Sequence, residues 1–294
     1  MIYDISHRTA YHYKSVVTQS QHLVHLAPRE FDYQTIHRHS LLVEPAPNTR
    51  SNRRDYFENP ISILEIDQDH HEFVMHARSV VEVEPRASIE LGRGIGWEDL
   101  RSIVTRPRNG IDLDAAQFAV PSPFTSTSPK VIDYAAASFV PGRPALDAAW
   151  DLTKRIFADF TFDGEATDVS TPVDHVLSER RGVCQDFAHV ALASCRAFGI
   201  PARYVSGYLL TKPPEGKEKL QGSDASHAWF ALWTPDTGWV DFDPTNNLMP
   251  SMEHIAFAVG REYRDIAPIT GILLGGGEHT VDVAVDVVPI ATLP

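Results

Sequence analysis

Residues 73–83 place apolar side chains at Phe73, Met75, Ala77, Val81 and Val83 and polar ones at His76, Arg78 and Glu82. That alternation is the period of a strand with one buried face. The first 85 residues are mostly strand-like, broken by turn signals at Pro45, Pro47 and Asn48 and at Asn59-Pro60. They predict an antiparallel, sandwich-like β domain over 1–85. Residues 86–140 are rich in Gly, Pro and Ser, with short helical patterns at 97–104 and 131–137, and read as a connecting region. From 144 to 158 a helical period sets Leu146, Ala149, Trp150, Ile156 and Phe157 on one face. A second helix is predicted near 172–179. A third starts at Cys184, buries Phe187, Ala188, Ala191, Cys195 and Phe198, and is stopped by Gly199 and Pro201. Strands follow at 202–210, 226–233 and 238–243, the last two joined by the turn Thr234-Pro235-Asp236-Thr237-Gly238. Helices followed by antiparallel strands make the fold class α+β, with a core domain at 141–250. Residues 251–294 form a C-terminal extension. There Val281, Val283, Val285 and Val287 alternate with Asp282, Ala284 and Asp286, a strand expected to return to the N-terminal sheet.

Composition narrows the function classes. A chain of 294 residues, 43% hydrophobic and 22% charged, supports one large or two ordinary domains with real cores. The net charge of −13 makes nucleic acid and anionic membranes poor partners and mildly favours basic or neutral peptides. No apolar run reaches the length of a transmembrane helix. The opening residues Met1 to His7 lack the basic and apolar regions of a signal peptide. Cys184 and Cys195 would lie about 16 Å apart along one helix, too far for a disulfide. A reducing, cytoplasmic setting is therefore expected.

The candidate chemistry starts at Arg181-Gly182-Val183-Cys184-Gln185-Asp186, where a turn becomes a helix. Free backbone N–H groups and the positive end of the helix dipole favour a thiolate at Cys184. Cys195 falls in mid-helix and reads as core. A nucleophilic cysteine needs a base and a group to orient that base. His227 opens the strand that follows, and Asp241 and Asp243 share one face of the next, so either carboxylate can reach toward the imidazole. His189, five residues beyond Cys184, is rotated about 140° away on the helix and is expected to face solvent or a loop. Asp186 suits the first turn for its charge.

These residues resemble the transglutaminase-like superfamily, in its bacterial branch. The resemblance rests on Gly182-Val183-Cys184-Gln185-Asp186-Phe187-Ala188-His189, on Ser226-His227-Ala228-Trp229 and on Gly238-Trp239-Val240-Asp241-Phe242-Asp243-Pro244-Thr245-Asn246. The opening Tyr3 to Tyr13, the Gly260-Arg261-Glu262-Tyr263-Arg264-Asp265 segment and the Gly275-Gly276-Gly277-Glu278-His279 run also look like that branch. It implies a papain-like core with Cys184 as nucleophile, His227 as general base and acid, and Asp243 as the orienting carboxylate. Asp241 then becomes a solvated or rim residue. Gln185, Asp224 and Trp229 flank these positions and are the candidate substrate contacts, Trp229 equally as core packing. The expected reaction is attack on an amide carbonyl of a peptide or protein, giving a thioester that water (peptidase, amidase) or an amine (transglutaminase) resolves. The backbone N–H of Cys184 is a natural oxyanion donor.

No cofactor is expected. Nine of the 14 histidines fall within the first 76 residues without a compact ligand spacing, and pairs such as His22/His25 and His37/His39 read as ordinary surface histidines. No loop carries the ligand pattern of an EF-hand, so calcium independence is expected. The stretch 211–224, with Pro213, Pro214 and Gly216, reads as a surface loop or a lid. Two rivals come from other classes: a non-catalytic module that retains the fold, and an assembly protein organised through residues 1–85.

Overall fold

The computed structural model describes residues 1–210 and 226–293. The predicted loop at 211–224, with Asp224, lies outside the described residues. The N-terminal part holds β1 (Ile2–Val24), β2 (Gln34–Glu44), β3 (Thr49–Arg54), β4 (Pro60–Ile66) and β5 (His70–Val83). Helices α1 (Trp97–Thr105), α2 (Gly110–Ala116), α3 (Pro129–Ala136), α4 (Ala145–Asp159), α5 (Val173–Glu179) and α6 (Cys184–Ala197) follow. A short parallel pair, β6 (Thr161–Phe162) and β7 (Arg181–Gly182), flanks α5. Strands β8 (Ala202–Leu209), β9 (Ser226–Thr234), β10 (Gly238–Phe242) and β11 (His254–Gly260) come next, then β12 (Ile269–Gly275) and β13 (His279–Ile290). The α+β class is as the hydrophobic pattern predicts.

Strand β1 is the spine of the N-terminal sheet. Its residues 2–13 pair with β13 and 2–12 with β5, while its residues 17–24 pair with β12 and 20–24 with β4. The register shifts between His12 and Val17, an irregularity of the kind that bends a strand. The sheet thereby folds over its own core, where Val17 of β1 meets Leu41 of β2, Leu64 and Ile66 of β4, and Phe73 and Met75 of β5. In β13 only the last two alternating valines, Val285 and Val287, are buried. They lie with Tyr3, Ile5, Val81 and Val83 against Tyr208, Ile255 and Phe257 of the second sheet.

That second sheet is antiparallel in the order β10-β9-β8-β11. One face carries the helices, with Phe187, Ala188, Ala191 and Cys195 of α6 packed among Ala202, Tyr204, Ala228, Phe230 and Leu232. The other face meets the N-terminal half. The outer edge of β11 is closed by two side-chain amides. Gln34 donates to the Ala256 carbonyl and accepts from its N–H at 2.7 and 2.9 Å. Asn59 does the same for Val259 at 2.8 and 2.9 Å. Each amide stands in for a missing neighbour strand, which satisfies backbone groups that burial would otherwise leave unpaired.

Several local expectations change. The connecting region contributes Trp97, Leu100, Val131 and Tyr134 to the core around α6. Helix α2 is not among the helices predicted in the connecting region; Asn109 caps it by accepting the Asp112 N–H at 2.8 Å. Phe157 is half exposed, since the buried stripe of α4 runs through Ala145, Ala149, Leu152 and Ile156. His22 and His25 are buried, not surface residues. His22 stacks on Phe73 at 4.1 Å, and His25 sits between Asp55 and the Ala267 carbonyl. Among the described residues no helix is long and apolar enough to cross a membrane.

Candidate active site

The approach to Cys184 is fixed before the helix begins. Arg180 ends α5 in the left-handed conformation, β7 pairs with β6, and Val183 is extended. Asp186 accepts the Val183 N–H at 2.8 Å and the Thr167 hydroxyl at 2.6 Å. It closes one of the open donors at the helix start. A β-carbon at Gly182 would lie 2.6 Å from the Asp186 carboxylate, so this turn requires glycine. Burial raises the Asp186 pKa, against the two hydrogen bonds that lower it. Cys184 therefore opens a helix whose following residues, Asp186 to Arg196, are all buried, while Cys184 itself is half-buried.

His227 stands at the start of β9, the strand on which α6 packs. Its Nε2 meets Asp243 Oδ2 at 2.7 Å, and its ring lies near enough to Cys184 for the two groups to interact electrostatically. With Nε2 turned to the carboxylate, Nδ1 is the nitrogen left for the thiol. Burial opposes charge on His227, but the hydrogen bonds and charges of Asp243 and Cys184 outweigh it and hold the pKa well above the ordinary imidazole value. Asp243 lies just past β10 and is fully buried. Its Oδ2 accepts from His227, from Asn246 Nδ2 at 2.7 Å and from His254 Nε2 at 3.0 Å. Its Oδ1 accepts the N–H groups of Thr245 and Asn246 at 2.9 and 3.2 Å. Burial alone would raise this pKa. The bonds from His227 and His254, the His227 charge and Asn246 instead hold it well below the usual carboxylate range.

His254 is absent from the sequence reading. It comes from β11, 11 residues beyond Asp243, and no motif spacing signals it. Burial lowers its pKa against the pull of Asp243, and the charges of His227 and Arg86 lower it further. A neutral His254 thus donates Nε2–H to the carboxylate; among the described residues its Nδ1 has no partner. Trp229 has no exposed surface and so is not a substrate contact in this structure. Its indole lies 5.9 Å from the His227 ring and 5.2 Å, edge-on, from His254. Asp241 is also buried, which corrects its reading as a rim residue. It accepts the Trp229 indole N–H at 3.1 Å and Arg86 Nη1 at 2.6 Å. A chain of contacts thus runs from Arg86 through Asp241 and Trp229 to both imidazoles.

The remaining candidates separate. Gln185 is half-buried and donates to the Val169 carbonyl at 3.2 Å, tethering the loop beside the helix start. His189 does not face solvent: it is buried between Phe124 and Tyr204 and accepts the Tyr263 N–H at 3.2 Å. Burial lowers its pKa to about 3 and the Arg196 charge adds to that, because a neutral ring fits this apolar slot. Cys195 is wholly buried, and burial pushes its thiol up to about 12. Donor atoms of His227, Asp243 and His254 lie within 4.8 Å of one another, a set able in principle to ligate a metal. Both Nε2 atoms, however, sit 2.7 and 3.0 Å from the same oxygen. Two ligands about 2.0–2.1 Å from a tetrahedral ion stand roughly 3.3 Å apart, so the observed spacing is that of hydrogen bonds.

Residues 3–82 match the bacterial transglutaminase-like N-terminal region, and residues 133–244 match the transglutaminase-like superfamily core. An uncharacterized protein of Mycobacterium tuberculosis is 39% identical over 98% of this chain and 92% of its own length. A protein-glutamine gamma-glutamyltransferase of Pseudomonas aeruginosa is 32% identical over 40% of this chain, which is 18% of that protein. The crystal structure of a candidate cysteine protease from Cytophaga hutchinsonii shares the fold. Its TM-score is 0.76 at 22% identity, over 100% of this chain and 93% of that one. With both regions matched in order and a relative aligned over nearly its full length, this chain belongs to the transglutaminase-like superfamily.

Proposed function

We propose that the protein is a cysteine enzyme that cleaves amide bonds in peptides or proteins through a thioester intermediate. The observation that carries this reading is Cys184 at the start of α6, beside a His227 that interacts with it and is itself held by the buried Asp243. Asp243 fixes the Nε2–H tautomer and leaves Nδ1 to take the thiol proton. The thiolate attacks the amide carbon, and charge moves to the carbonyl oxygen, for which the Cys184 N–H at the helix start is one donor. The tetrahedral intermediate collapses, the C–N bond breaks, and the proton on Nδ1 leaves with the amine. Water, deprotonated by the same nitrogen, then hydrolyses the thioester. His254 and Asn246 act as positioning residues: both bond Asp243, and Asn246 Nδ2 also lies 3.3 Å from His227 Nε2, the nitrogen turned away from the thiol. Cytoplasmic placement belongs to the same proposal and is supported by two unpaired cysteines.

Cross-linking is the second reading, favoured by the likeness of the core to the Pseudomonas glutamyltransferase. Hydrolysis leads because water reaches a half-buried Cys184 without a dedicated site, whereas an amine acceptor needs one. The test is to treat the full chain with p-nitrophenyl acetate and then with glutamine-containing peptides, with and without a primary amine. An acetyl adduct mapped to Cys184 and absent from Cys184→Ala supports the enzyme. Free acid, with no amine product when the amine is present, supports hydrolysis. Turnover retained by a folded Cys184→Ala protein refutes the proposal.

A further inference from the structure

At the end of the core sheet remote from Cys184, the two halves of the molecule enclose a second cavity, of about 510 Å³. It lies where β8 begins and β9 ends, about 20 Å along β9 from His227. Its volume is in the range of small-molecule sites, and Tyr56, Phe57, Phe118 and Trp239 line it. Phe118 packs edge-on to Trp239 at 5.1 Å and lies 5.8 Å from Phe57. Arg203 also lines the cavity, its guanidinium stacked over the Trp239 indole at 4.3 Å.

Arg203 is a cation without a counter-ion. Among the described residues no carboxylate, carbonyl or hydroxyl accepts from it, and its Nε is buried without a partner. The near carboxylate, Asp241, already holds Arg86 at 2.6 Å and Trp229 at 3.1 Å. Arg29, which also lines the cavity, is bonded to the Phe57 carbonyl and has Asp55 and Glu58 nearby. Burial lowers the Arg203 pKa to about 10. Asp241 and Tyr33 pull it back up, while Arg29 and Arg86 push it further down, so it remains charged at neutral pH. The acids at the cavity, Glu58 and Asp114, are exposed. Stacking on an indole offsets part of the desolvation cost, but a half-buried guanidinium with free donors is an arrangement that an anion completes.

We propose that this cavity is a second ligand site, for a small monocarboxylate with a flat apolar body. The carboxylate lies on the open edge of Arg203 and the body among Tyr56, Phe57 and Phe118. A planar carboxylate matches one guanidinium edge and its single uncompensated charge, whereas a dianion would meet Glu58 and Asp114. The test uses the full chain with phenylacetate, the neutral isostere 2-phenylethanol and inorganic phosphate, read by tryptophan fluorescence and thermal unfolding. Phenylacetate is expected to bind saturably and raise the Tm, the other two are not, and Arg203→Met is expected to weaken phenylacetate by about tenfold or more. Removing an unpaired buried charge should leave the ligand-free Tm of Arg203→Met equal to or above that of the parent. Should that variant unfold, Arg203→Gln reads the same loss. The proposal is overturned if phenylacetate fails to saturate, if it binds the Arg203 variant as well as the parent, or if 2-phenylethanol or phosphate binds in its place.

Discussion

Asp243 accepts from two imidazoles, one side-chain amide and two backbone N–H groups while fully buried. Such a carboxylate stays ionised, and together with Cys184 it raises the His227 pKa. Asp243→Asn should lower that pKa, moving the alkaline limit of kcat/KM to lower pH and reducing kcat/KM roughly 100-fold or more. His254→Ala removes one donor and should cost about 1–2 kcal/mol of transition-state stabilisation, roughly 5- to 30-fold in kcat, with KM little changed and the same alkaline shift in smaller degree. A change in stability alone, with the pH profile unmoved, would make His254 merely structural. The same shifts act on folding. A raised His227 pKa contributes stability that is fully present below the ordinary 6.5 and lost as pH rises through the folded value. The depressed Asp243 pKa contributes stability present above the ordinary 3.8 and lost as pH falls through its folded value. Unfolding free energy measured across pH should therefore fall at both extremes, and the Asp243→Asn protein should lose the acid dependence and keep only a weakened alkaline one.

Helix α6 and the strands β8 to β10 are legible in the sequence because each is defined by a local period: three-to-four for Phe187, Ala188, Ala191 and Cys195, and turn residues between apolar runs for the strands. That local order also brings Cys184, His227 and Asp243 within reach of one another. What local pattern does not carry is contact between distant segments. His254 reaches Asp243 only because β11 pairs with β8, and Asp241 is buried only because Arg86 arrives from a segment 155 residues away. His189 looks exposed by helical rotation alone, since the rotation says nothing of Phe124 and Tyr204 covering it. Two substitutions test the elements. Gly182→Ala forces a β-carbon onto the Asp186 carboxylate and should destabilise by about 1–3 kcal/mol, with slower Cys184 alkylation because the helix start shifts. Gln34→Leu leaves the Ala256 N–H and carbonyl unpaired at the β11 edge and should cost about 2 kcal/mol in denaturant unfolding.

The N-terminal sheet and the core share apolar contacts, through Tyr3, Ile5, Val81, Val83, Val285 and Val287 against Tyr208, Ile255 and Phe257, and through Phe31 and Phe57 against the cluster of Val205, Trp229 and Val259. The Arg86–Asp241 pair crosses the same junction. All five tryptophans lie between residues 97 and 239, so their fluorescence reports the helices and core sheet, whereas far-UV circular dichroism also reports the N-terminal strands. The two signals should unfold in a single coincident transition; separate midpoints would show that the halves are independent. Arg86→Met leaves the Asp241 charge buried and unpaired, and should lower stability by about 3 kcal/mol. Because Asp241 anchors Trp229 beside His227, the same variant should slow Cys184 alkylation. The central claim, that Cys184 and His227 form an activated pair, is tested most directly by iodoacetamide labelling of the native protein across pH, with peptide mapping to read each cysteine. The structure predicts faster labelling of Cys184 in the native protein than in the unfolded chain, none of the buried Cys195, and loss of the Cys184 advantage in His227→Ala. Labelling of Cys184 no faster than in the unfolded chain, or unchanged in His227→Ala, would contradict it.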